Sequence, residues 1–389
     1  MNDVERIGLS TVVQQSPTCS RLSSHQRLAV SVLEFEMQKF HISLITAILA
    51  ATIGVANAAS PAHGVVYSAN EGDGSISAIT LSSGEVRTVD IPVVPHNVQI
   101  SLDGKFLLAV GAPSEGHGGH GGVESQSTPA AATHGHGAQA ALVLLDASKP
   151  GELIATLPSG DHPAHVVTSK GGDLAFITNA DANQVTVVDI SRKAVVAEIP
   201  TGSYPHGLRL SPDGRELYVA NVTDNSVSVI DAENLKESAR IPVGKAPVQV
   251  AFTPNGAQVY VSLRDENSVA VIDTGTREVT GKIQVGRNPI QLFSTPDGRK
   301  MYVANQGSDS DPDNTVSVID IGTQRVVDTV TTGMGAHGVV ASDDGKWVFI
   351  TNNKADTVSA IDTATQAVVG TYKCQRRLKT DPLSSESSE

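Results

Sequence analysis

The landmark aspartates Asp189, Asp231 and Asp273 fall 42 residues apart, and the segment around each repeats one unit, clearest as PHGLRLSPDGRELYVANVTDNSVSVIDAENLKESARIPVG at 205–244. Within the unit, apolar and polar residues alternate over four short stretches separated by turn residues, which is the pattern of four consecutive β-strands. Strand units at this period are the mark of a propeller blade. One blade cannot bury both of its faces, so the copies must stack in a ring.

Counting the landmarks fixes the ring size. Second strands end at YSAN (67–70), LLAV (107–110), FITN (176–179), YVAN (218–221), YVSL (260–263), YVAN (302–305) and FITN (349–352). Third strands end at Thr80, Asp146, Asp189, Asp231, Asp273, Asp320 and Asp362, and the turns SLDG, SPDG, TPNG, TPDG and SDDG carry type I chemistry. The expectation is an all-β, seven-bladed propeller of four-stranded blades over residues 59–372. YVAN followed by NSVSVID or NTVSVID resembles the YVTN-family (YncE-like) β-propeller repeat, over roughly 64–372. That resemblance implies the fold and, more loosely, a functional site at the central channel. Propellers of this kind include lactonases and cofactor-bearing dehydrogenases and reductases.

Outside the ring the sequence divides into three parts. Residues 37–58 (MQKFHISLITAILAATIGVANA) hold one basic residue, a short apolar core and small residues at Ala56 and Ala58, which reads as a cleaved signal peptide and predicts a periplasmic or secreted protein. The apolar run is too short to favour a permanent span. Residues 1–36 carry no pattern and read as an upstream segment from a start site placed too early. The tail, 373–389, is polar and lacks alternation. Little chain precedes YSAN after cleavage, and the tail offers no inner strand. Blade one is therefore expected to lack its fourth strand, leaving a weak seam against blade seven. With Cys19 upstream of the signal and Cys374 in the tail, no disulfide closes the ring, and the one remaining thiol is expected outside the repeats.

A formal charge of −13 without a basic stripe argues against nucleic acid or an anionic membrane as partner, and 4% aromatic residues leave few platforms for base stacking. The chain reads as a monomer, with a protein partner on the channel face as one use of the ring.

The chemistry lies where the copies differ. In the column after the proline that opens each inner strand stand His96, Ala164, His206, Val248, Ile290 and His337. The histidines belong to blades two, four and seven, as near threefold as seven permits. Three imidazoles at one channel mouth suit Zn²⁺, Cu²⁺ or Ni²⁺. His165 and His162 are candidates for a fourth ligand or a supporting role. Alternatively, this column is a polar channel rim whose rings bond water or backbone. Blade two also carries a Gly-rich insert, 111–139, with His117, His120, His134 and His136 at metal-capturing spacings. Topology hangs it over the same mouth. Scarce Met and Cys disfavour Cu(I). In blade six, Asp309, Asp311 and Asp313 alternate as calcium ligands do, but the loop lacks the spaced Gly and closing Glu and reads as a solvated turn.

These features support an exported, non-catalytic protein that binds divalent metal at the mouth and through the loop, with no organic cofactor. The alternatives are a metal-dependent, lactonase-like hydrolase at that mouth, or an interaction scaffold. No nucleophile–base set and no haem-attachment Cys-x-x-Cys-His is present.

Overall fold

Residues 64–101, 103–113, 140–149 and 151–374 are described in the computed structural model, with the backbone of 6–8 and 13–14. They form seven sheets in chain order, joined by contacts between successive inner strands. Blades two to seven have four strands each, as in Pro205–Leu210, Glu216–Asn221, Ser226–Asp231 and Lys236–Pro242 of blade four.

The repeat folds this way because its second strand places a large side chain at one fixed position. Tyr67, Leu108, Phe176, Tyr218, Tyr260, Tyr302 and Phe349 are all at most 1% exposed, and each fills the space between neighbouring sheets. Burying one such ring from water stabilises the stack by about 2 kcal/mol. The turns before the second strands match their sequences: Ser211 Oγ donates to Asp213, whose carboxylate accepts from Arg215 N–H, with Gly214 at φ 83°. The aspartates that end third strands also accept turn N–H groups, as Asp231 does from Glu233 and Asn234.

Blade one has three antiparallel strands, Val65–Asn70, Ser75–Thr80 and Glu85–Asp90. Within 1–36, the backbone of Arg6–Gly8 pairs with Val65–Tyr67, and Val13–Gln14 pairs with Arg6–Ile7. Arg6–Gly8 runs parallel to its neighbour in blade one, whereas the six inner strands of the other blades are antiparallel to their neighbours. An open sheet edge offers unpaired N–H and C=O groups to any extended segment. The signal segment 37–58, most of the insert (114–139) and the tail beyond Cys374 lie outside the described residues.

Cys374 departs from expectation. Rather than lying outside the repeats, it is 9% exposed and packs with Val66, Ile79, Leu81 and Phe349 between blades one and seven. Its N–H donates to Asp356 O just as Val285 N–H donates to Asn267 O, so it occupies a repeat position that valine fills elsewhere. Burial pushes its thiol pKa up to about 11.

Candidate metal centre

Each inner strand has a register irregularity within its first residues, for example between Pro205 and Leu208 and between Pro163 and Val166. The two residues after the proline therefore lie in a bulge, and simple alternation does not send them to opposite faces. For this reason His165, one position later than the histidine column, still reaches the site. One ring nitrogen from each of His96, His165 and His206 lies within 4.8 Å of the others, a set able to hold a metal ion. Their ring centroids are 4.8–5.6 Å apart, on three consecutive blades.

The loop leading into each inner strand is held from the preceding blade. Asn183, in left-handed conformation at φ 55°, accepts the N–H of Tyr204, two residues before His206. Asn225 and Asn267 do the same for Ala246 and Asn288. These bonds reach from one blade to the next. Asn221, at the end of a second strand, forks its amide onto the hydroxyls of Ser226 and Ser228, and Ser228 receives the N–H of Gly202 in the same loop. Gly202 must be glycine here, because a Cβ would fall 2.6 Å from Asn221.

Hydrogen bonds set the tautomers of two rings. His96 Nδ1–H donates to Glu71 Oε1 at 3.1 Å, and His206 Nδ1–H donates to the Val248 carbonyl at 3.2 Å. A carboxylate and a carbonyl are acceptors only. In the neutral rings both Nε2 atoms thus carry lone pairs, and these atoms face one another at 3.1 Å. Two lone pairs that close repel unless a proton or a cation lies between them. Two nitrogens bound to one metal at about 2.0–2.1 Å stand about 2.9–3.4 Å apart at bond angles from square to tetrahedral. The spacing fits.

Desolvation keeps His165, His206 and His337 neutral. It lowers the pKa of His206 to about 3 and that of His337 to about 4, and takes that of buried His165 well below its usual value. The hydrogen bond from His96 depresses the Glu71 pKa, keeping the carboxylate ionised. Glu71 is the sole acid at its position after the second strand, where other copies have Ala180, Val222, Arg264, Gln306 and Asn353. That contrast is a legible signal that sequence reasoning passes over.

The remaining candidates are placed as follows. His337 stands apart from the triad but lines, with His96 and Glu71, a cavity of about 270 Å³ at the seam of blades one and seven. His162 occupies the left-handed residue before Pro163 (φ 51°), which turns its ring outward, 3.2 Å from Asp181 and edge-on to Tyr204. It is exposed, away from the cluster. His117, His120, His134 and His136 lie outside the described residues. The insert's roots are described: Pro113 pairs with Val93, at the start of the strand that carries His96, and Ala141 pairs with Gly111. In blade six Arg287 pairs with Asp311 and Asp313, and Lys354 with Asp309, which fills that loop with side-chain cations.

The sequence model of the YncE-like β-propeller matches residues 208–379. This match and the seven-bladed ring support a YncE-like propeller family. A second family, the cytochrome D1 haem domain, matches residues 137–251, which include His165 and His206. No curated protein matches the sequence. Among solved structures this YncE-like propeller is similar to hydrazine synthase of Kuenenia stuttgartiensis (22% identity, 70% of this chain and 77% of that one, TM-score 0.58). It is similar also to a functionally unknown protein from Desulfotomaculum acetoxidans DSM 771 (15%, 78% and 93%, TM-score 0.63). A third likeness is to the dihydro-haem d1 dehydrogenase NirN in complex with DHE (17%, 79% and 63%, TM-score 0.54). At these identities the structural likenesses speak for the fold alone. No helix among the described residues is long and apolar enough to cross a membrane.

Proposed function

We propose that this YncE-like propeller is an exported protein that binds a divalent transition metal, Zn²⁺, Cu²⁺ or Ni²⁺, at the channel mouth. The observation that carries this reading is the 3.1 Å approach of two Nε2 lone pairs, each fixed by a hydrogen bond on the opposite ring nitrogen. His96 and His206 hold the ion, with His165 beside it. The insert, rooted at the start of the strand that carries His96, gathers metal toward the mouth through its histidines. Bound there, the metal would supply a Lewis-acid centre, and the chain's own part is to orient two lone pairs and exclude protons from them.

Calorimetric titration of the metal-stripped protein tests this. One-to-one binding that is lost in His96→Ala and His206→Ala but survives deletion of 114–138 supports it; unchanged affinity in both alanine variants overturns it. The cytochrome D1 match across His165 and His206 favours a second reading, a tetrapyrrole at the same mouth. Haemin titration with an absorbance readout separates the two, since only that reading expects histidine-dependent spectral change. Steady turnover of lactones by the metal-loaded form would move the protein to the hydrolase class.

A further inference from the structure

The third ring of the cluster is bonded differently from the other two. Asn97 and His165 are each 1% exposed and meet across blades two and three. Asn97 Oδ1 accepts the backbone N–H of Val166 at 3.3 Å. A backbone N–H can only donate, so this contact fixes which end of the amide is oxygen. The other end, Nδ2, donates to His165 Nδ1 at 2.9 Å. A neutral imidazole that accepts at Nδ1 carries its proton on Nε2. His165, within the cluster, thus carries an N–H on Nε2 where His96 and His206 carry lone pairs. Among the described residues no acceptor meets it.

We propose that His165 is a hydrogen-bond donor to a small monoanion coordinated to the metal, and that Asn97 is the positioning residue that makes it one. This rests on metal binding at His96 and His206. The ligand class is an anion with an oxygen or nitrogen lone pair, such as hydroxide or a carboxylate. A donor beside an open coordination position stabilises an anion there and selects against ligands that cannot accept a hydrogen bond. A site with two protein ligands and one donor exchanges its metal more readily than a site with three ligands, which suits capture and release.

Two measurements on the full chain test it. Long-range ¹⁵N–¹H NMR of the metal-free protein should find the His165 proton on Nε2 and those of His96 and His206 on Nδ1; a His165 proton on Nδ1 overturns the proposal. The second is azide titration of the Cu²⁺-loaded protein, followed by its charge-transfer absorption. Asn97→Asp places an acceptor opposite Nδ1, moves the proton there and frees Nε2 as a third ligand. Cu²⁺ affinity should rise about tenfold and azide affinity fall about tenfold. His165→Ala removes the donor and should lower azide affinity about tenfold. Unchanged azide affinity in His165→Ala, or no change in either affinity in Asn97→Asp, overturns the donor role. Absence of Cu²⁺ binding in the unmutated protein removes the proposed function itself, and the NMR assignment separates that failure from this one.

Discussion

At the scale of single residues, the acid–base state of three rings controls the site. The folded-state pKa values of His206 and His337, about 3 and about 4, lie below the ordinary value of 6.5. Between those limits the unfolded chain binds protons that the folded chain refuses, so stability is complete above about pH 6.5 and falls as the pH drops toward 4. Thermal melts of the metal-free protein from pH 7 to 4 should show this decline, and His206→Gln should flatten it; an unchanged slope would contradict the desolvated, neutral ring. The Cys374 thiol, pushed up to about 11 by burial, should react with a disulfide reagent far more slowly in the native protein than in denaturant. Much of this was legible in sequence: the column holding His96 and His206 stands out once the copies are aligned. His165 was harder to rank, because alternation places it on the other face and the bulge that brings it back is a backbone event. Glu71 and Asn97 act through the nitrogen they bond, which the spacing of histidines does not encode.

Single elements show the repeat serving as a positioning device. Asn183 touches no ligand, yet it accepts the N–H two residues before His206. Asn183→Ala should weaken metal binding about tenfold with little change in the fold, read by calorimetry beside far-ultraviolet circular dichroism. Asn221→Ala leaves Ser226 and Ser228 without their shared donor and should cost about 1–3 kcal/mol in denaturant unfolding. In blade six, Arg287 and Lys354 already pair with all three aspartates, so added calcium should not shift the melting temperature; a clear rise would contradict the side-chain pairing. Strand boundaries and turns were legible throughout, because SPDG and YVAN write their own hydrogen bonds. The clamps between blades were not, since Asn183 and Asn225 look like ordinary turn asparagines until the next blade is in place.

For the whole molecule, the ring count follows from the repeat, whereas the partner of the open edge on blade one does not, since any extended segment satisfies it. The cavity at that seam is lined by Glu71 from blade one, His96 from blade two and His337 from blade seven. The hydrogen bond from His96 to Glu71 therefore ties the proton on His96 to the position of the blade that lacks its own antiparallel inner strand. If blade one swings outward, Glu71 withdraws, Nδ1 of His96 loses its acceptor, and Nε2 is no longer held as a lone pair toward His206. By linkage, an ion bound at the mouth resists that opening with the free energy that the opening takes from its affinity. The ion then serves as a clasp on a necklace that has no covalent fastening, and how firmly the necklace is shut sets how readily the clasp lets go.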